Sequence, residues 1–185
     1  MRIALIFPPY TPKEFSENLS VVDEEFCLAP PIILAYVAAI LEKYGHKVIL
    51  LDARALKLSK EETLQKLKIF RPDIIGFRAE AYYFYDALDW ISYLRANLGV
   101  PVISGGPNLS MYPEETMSHS EIDYGFISEA IETLPNFINA LENNEDISGI
   151  PGLAYKNNGN IIINPAPLRY ADFNSYPFPA RHLLP

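Results

Sequence analysis

The chain has 185 residues, 49% hydrophobic and 21% charged, with a formal net charge of −8. That suffices for one compact domain with an appendage, and it argues against nucleic acid, because the Lys and Arg residues that would meet phosphates are scattered along the chain. The single cysteine, Cys27, excludes an internal disulfide, a zinc site built from several thiolates and an iron–sulfur cluster of the chain's own, and no apolar run is long enough to span a bilayer.

The start, Met1-Arg2 followed by a short apolar run, lacks a small-residue cleavage site and reads as a first strand over residues 2–7 of a cytosolic protein. Residues 8–29 form a long loop with a solvated acidic run, Asp23-Glu24-Glu25. Those carboxylates raise the pKa of the nearby Cys27 thiol, which makes it a structural residue and not a nucleophile. Pro30-Pro31 open a helix over about 30–44 that Gly45 stops. The second strand, Lys47-Val48-Ile49-Leu50-Leu51, ends at Asp52, and Ser59 with Glu62 three residues on predicts a capping box for a helix running to about Phe70.

Pro72-Asp73-Ile74-Ile75-Gly76-Phe77 reads as the third strand, and Tyr82 to Asn97 as an amphipathic helix. The aromatics of that helix are mainly core by their spacing, with Tyr82 and Tyr83 beside the preceding loop. A fourth strand, Pro101-Val102-Ile103-Ser104, breaks into Gly105-Gly106-Pro107-Asn108; two residues without Cβ atoms at a strand end let a ligand come close to the backbone, and proline then turns the chain away. A weaker fifth strand over about 122–127 and a helix over about 130–142 follow. Beyond them, Asn157-Asn158-Gly159 between Gly152–Lys156 and Asn160–Asn164 signals a β-hairpin. A Pro-rich strap leads from there to Leu183-Leu184-Pro185 and reads as a connector to a following domain.

Continuously apolar strands alternating with helices imply an α/β fold: a doubly wound, five-stranded parallel sheet, flavodoxin-like or Rossmann-like, in the order 2-1-3-4-5. The expected division is an α/β domain over 1–146 and a hairpin with linker over 147–185. In such sheets ligands bind beyond the carboxyl ends of the strands. The segments expected at that edge are Pro8-Pro9-Tyr10, Asp52-Ala53, Arg78-Ala79-Glu80, Gly105-Gly106-Pro107-Asn108 and Ser128-Glu129.

Several pieces in order, Phe7-Pro8-Pro9, the run from Pro30 to Val48, Pro72-Asp73-Ile74-Ile75-Gly76, Ser104-Gly105-Gly106-Pro107, Pro113-Glu114-Glu115, Asp123-Tyr124, Glu132-Thr133-Leu134, Ile150-Pro151-Gly152-Leu153-Ala154-Tyr155 and Tyr176-Pro177-Phe178-Pro179-Ala180, resemble the N-terminal cobalamin-binding domain of radical S-adenosylmethionine (SAM) enzymes over essentially the whole chain. The resemblance implies a cobalamin above the sheet edge, with its nucleotide tail among the strand ends beside the fourth strand. The cofactor contacts it implies are Pro9, Tyr10, Phe77, Arg78, Glu80, Ser104, Gly105, Gly106, Pro107, Asn108, Ser128 and Glu129. Arg78 would meet a corrin amide or the phosphate of the tail, unless it merely pairs with Glu80. Ser104 and Asn108 would hydrogen-bond the tail, unless they cap the local turn.

The resemblance also implies an adjoining radical SAM domain carrying a [4Fe-4S] cluster and S-adenosylmethionine, whose Cys-x-x-x-Cys-x-x-Cys motif lies outside this chain. Two departures stand out. The Asp-x-His-x-x-Gly that supplies a cobalt ligand in methionine synthase and the mutases has no counterpart, since residues 8–29 contain no histidine. His46 and His119 precede strands and are expected at the far edge, and His182 lies in the strap, so no histidine ligand is expected. The family's Gly-Glu-Gly-Glu after strand five is here Ser128-Glu129-Ala130-Ile131, which narrows the room beside the tail. That departure motivates the alternative of a scaffold domain that has given up the cofactor. A flavodoxin-like nucleotide binder is the weaker alternative, because no Gly-rich loop opens the first helix.

Overall fold

A computed structural model describes residues 1–9, 29–166 and 173–185. Tyr10, Cys27 and the acidic run at 23–25 lie outside the described residues. Seven strands form one sheet among the described residues, in the order β2-β1-β3-β4-β5-β6-β7. The strands are β1 (Arg2–Phe7), β2 (Lys47–Asp52), β3 (Ile74–Arg78), β4 (Val102–Gly105), β5 (Tyr124–Phe126), β6 (Leu153–Asn157) and β7 (Asn160–Ile163). The first five pair in parallel in the expected order 2-1-3-4-5.

The hairpin extends this sheet. Strand β6 runs antiparallel to β5, with Phe126 opposite Leu153 and Tyr124 opposite Tyr155, and β7 closes the row. A physical reason is that β5 is only three residues long and would otherwise expose a row of unpaired peptide groups beside an apolar core. Hairpin side chains enter both halves of that core, Ala154 on one face and Leu153 on the other.

Six α-helices among the described residues cover the sheet: α1 (Ile32–Lys43), α2 (Lys60–Phe70), α3 (Phe84–Leu98), α4 (Pro107–Met111), α5 (Pro113–Ser118) and α6 (Ala130–Asn143). Strand alternation divides the apolar residues between two layers. Ile3, Leu5, Ile74, Ile103 and Phe126 pack with α1 and α6, while Ala4, Ile6, Ile75, Phe77 and Val102 pack with α2 to α5. Both arms of the expected capping box form at α2: Glu62 N–H donates to Ser59 Oγ at 3.1 Å and Ser59 N–H donates to the Glu62 carboxylate at 2.8 Å.

The pair α4 and α5 has no counterpart among the sequence-predicted elements. Both helices start on a proline and are too short for a clear 3.6-residue period. Gly125 fixes their approach to the sheet, since a Cβ there would lie 2.8 Å from Leu109 Cδ2 and 2.9 Å from Met117 Sδ. The strap returns across α1: Ala180 is buried against the α1/α6 layer, and its N–H donates to Ala35 O at 2.9 Å.

Candidate functional site at the strand ends

The carboxyl ends of β1, β3, β4 and β5 meet at one edge of the sheet, and the glycine pair divides its work there. Gly106 has φ +113 and ψ −179, a conformation essentially reserved for glycine. A Cβ on it would stand 2.8 Å from Ala79 O and 2.9 Å from Arg78 Cγ. The fold therefore needs Gly106, which lets the β4 end lie against the β3 end and lets Pro107 start α4.

Gly105 is different. A Cβ there would meet nothing nearer than Phe126 O at 3.8 Å and Phe126 Cβ at 3.9 Å. By alternation its open side faces the α1/α6 layer, so a notch lies between the β3 and β5 ends on that face. Phe126 walls it on the β5 side, and its ring packs on Phe137 of α6 with centroids 5.4 Å apart.

Arg78 is the register partner of Gly105, and Arg78 and Glu80 project to the same side of the chain around the buried Ala79. Arg78 Nη1 lies 2.7 Å from Glu80 Oε1, with the two side chains 33% and 15% exposed. The pair expected as an alternative thus exists, partly buried at the mouth of the notch. A second guanidinium, Arg54, sits in electrostatic range of Asp52 and Tyr83. Its position after β2 carries no motif, so the sequence reading missed it. Burial raises the Asp52 carboxyl above the usual range, against a hydrogen bond from Ala55 N–H at 2.9 Å. Burial also pushes the Tyr83 phenol well above its ordinary value.

The other expected contacts divide by face. Phe77 is buried in the opposite layer. Ser104 also points that way, 1% exposed, with a hydroxyl that has no hydrogen-bond partner among the described residues. Asn108 is committed locally: its side chain donates to Thr116 Oγ1 at 2.9 Å and its N–H to Ala79 O at 3.0 Å, which ties α4 to α5 and to β3. Pro9 is half-buried after β1, and Pro107 is the exposed first residue of α4. Ser128 takes φ +66, and its N–H donates to Ser110 Oγ at 2.9 Å; Glu129 is the exposed residue capping α6. Of the two tyrosines beside the loop, Tyr82 is exposed and Tyr83 buried edge-on against Phe7, ring centroids 6.2 Å apart.

Each of the three histidines is engaged with other groups, His46 and His182 away from this edge. His46 lies within 3.3 Å of the amino-terminal nitrogen and 3.7 Å of Glu142. His182 pairs with Glu42 near the end of α1 at 3.1 Å. His119 departs from the expected place in one respect: its ring packs edge-on against Phe84 and Tyr85 at the start of α3, on the outer flank of that layer.

Residues 27–138 match the B12 binding domain family. The chain belongs to that family. It is 30% identical over its whole length to an uncharacterized methyltransferase of Pyrococcus horikoshii, and 26% identical over 158 residues, 73% of the chain, to the cytidylyl-2-hydroxyethylphosphonate methyltransferase of Streptomyces wedmorensis. It spans only 39% and 29% of those proteins. Its fold is shared with the cobalamin-dependent SAM radical enzyme OxsB, with a TM-score of 0.73 and 19% identity over 97% of this chain and 24% of that one. The radical SAM methyltransferase TsrM of Kitasatospora setae, solved with cobalamin and a [4Fe-4S] cluster, is likewise similar, with a TM-score of 0.69 and 18% identity over 95% of this chain and 30% of that one. This B12 binding domain thus shares its fold with the corresponding part of those two radical SAM enzymes. Its residues leave room of the kind a cobalamin tail needs: Gly105 keeps an open side that a larger side chain would fill, with Phe126 O and Cβ as its nearest neighbours. No helix among the described residues is long and apolar enough to cross a membrane.

Proposed function

We propose that this chain holds cobalamin beyond the carboxyl ends of β1, β3, β4 and β5, with the nucleotide tail in the Gly105 notch and no histidine on the cobalt. The observation that carries the reading is the open side of Gly105, a glycine that chain packing does not require. The bound cofactor would supply a cobalt centre able to accept and donate a methyl group. The chain's own part is to hold it: Gly105 admits the tail, Phe126 walls it, and the Pro8-Pro9 and Ser128-Glu129 ends frame the opening.

In this reading the chain is one module of a larger cytoplasmic enzyme. Residues 1–146 bind the cofactor, and residues 147–185 lead to a radical SAM domain holding a [4Fe-4S] cluster and S-adenosylmethionine. The greater length of the related methyltransferases supports this. Methyl transfer would belong to the full protein.

Incubation with hydroxocobalamin, desalting and a visible spectrum test the proposal. The expected result is near-stoichiometric cobalamin, a spectrum unchanged in His46→Ala, His119→Ala and His182→Ala, and loss of binding in Gly105→Val. A colourless wild-type protein with native circular dichroism would overturn it and leave the scaffold alternative.

A further inference from the structure

The notch at Gly105 is not uniformly apolar, and its polar part has a definite chemistry. Arg78 and Glu80 stand at its mouth on the same sheet face, with Arg78 level with Gly105 in the β3–β4 register. The Arg78 stem runs past Gly106, whose absent Cβ would lie 2.9 Å from Arg78 Cγ. On the other side stands Phe126, the register partner of Gly105 on β5, with its O and Cβ nearest the open side. A flat ring entering beside Gly105 would therefore lie between the ends of β3 and β5, with one edge toward a guanidinium–carboxylate pair.

That pair is a poor anion site. Glu80, only 15% exposed and 2.7 Å from Arg78, neutralises the cation and would face any phosphodiester with a carboxylate. What the pair offers is a donor and an acceptor side by side. A ring that presents methyl groups there strips water from both charges and returns no hydrogen bond. A ring with acceptor nitrogens beside an exocyclic amino group can accept from the planar guanidinium and donate to the carboxylate. Sites with buried polar groups discriminate strongly against ligands that leave them unpaired.

We infer that the Arg78–Glu80 pair makes this domain select a cobamide whose lower base is a purine, over cobalamin with its methyl-edged dimethylbenzimidazole. The inference rests on the cofactor-holding reading above. Because Arg78 keeps a third of its surface in water, the expected preference is modest, about tenfold or more in Kd.

The test is calorimetric titration of the purified chain with adeninylcobamide, hydroxocobalamin and cobinamide, which lacks the nucleotide tail. Adeninylcobamide should bind about tenfold or more tighter than hydroxocobalamin, and cobinamide weakest. In the double variant Arg78→Met/Glu80→Met, checked for a native melting temperature, the preference should vanish or reverse. Equal or tighter binding of hydroxocobalamin to the wild type overturns the inference while leaving cofactor holding intact. So does a preference that survives the double variant, or cobinamide binding as tightly as both complete cobamides. If none of the three binds, the cofactor-holding reading fails and this inference fails with it.

Discussion

Replacing Gly106 and Gly105 singly by alanine separates a glycine the fold needs from one it does not. At Gly106 an L side chain is forced into φ +113, which costs about 1–3 kcal/mol. The new Cβ would also press at 2.8 Å on Ala79 O. That oxygen accepts from Asn108 N–H at 3.0 Å, so it yields only by disturbing the start of α4. Overpacking of this kind adds about 1–2 kcal/mol. The sum, about 2–5 kcal/mol, corresponds to a fall in Tm of about 5–15 °C for a chain of this length. At Gly105 the new Cβ makes an ordinary contact at 3.8 Å, and removing a glycine from a strand favours folding by up to about 1 kcal/mol. Thermal unfolding at pH 7, followed by circular dichroism, should therefore show Gly106→Ala well below the wild type and Gly105→Ala at or slightly above it. Equal losses in the two variants, or an unchanged Gly106→Ala, would refute the division of roles between the glycines.

Three further outcomes follow from local geometry. Asp123 accepts from Arg95 at 2.6 and 2.9 Å and from Val102 N–H at 2.8 Å, so Asp123→Ala should cost about 1–3 kcal/mol in urea unfolding at pH 7, and high salt should shrink that difference. Burial holds the His46 pKa below its ordinary value, with Glu142 opposing the shift. The unfolded chain then takes up that proton first, so the associated stability is full above about pH 6.5 and is lost as pH falls through 6.5 toward the folded value. His46→Phe should accordingly lose less stability than the wild type between pH 7 and pH 5, and parallel pH profiles would count against this. At Ser128, with φ +66, Ser128→Val should cost about 1–2 kcal/mol in thermal unfolding while Ser128→Gly costs none.

The sheet order was legible because apolar runs alternated with helix signals that have stated physical causes: the Ser59–Glu62 box, the Gly45 stop and the Gly105-Gly106-Pro107 break. Helices α4 and α5 were not legible, since five or six residues carry too little periodicity and their packing depends on Gly125, a contact remote in sequence. The strand-end segments were placed at the right edge from the order of elements alone. Which face each side chain takes was not, because that depends on where each strand begins. Ser104 and Phe77 point into the opposite layer from Gly105, while Arg78 shares its face. Nor does a sequence show that Asn108 is committed to Thr116, or that Arg54 and the buried Asp52 carboxyl stand at the same edge.

The two glycines missing from the loop after β5 do not weigh alike once backbone angles are known. Ala130 is the first residue of α6, where a side chain needs no unusual φ. Ser128 sits where the chain turns through φ +66, so serine here keeps a glycine-like path at a conformational cost, secured by the Ser110 hydroxyl on its N–H at 2.9 Å. The backbone thus turns through a glycine-like angle at Ser128 without a glycine, and the narrowing expected from the sequence comes down to the side-chain atoms that Ser128 and Ala130 add. The strand-end site combines the Arg78–Glu80 pair with an open Gly105. In the cofactor-holding reading proposed above, the open side of Gly105 gives the tail room, and the pair gives that space a polar edge that would bear on which lower base it takes.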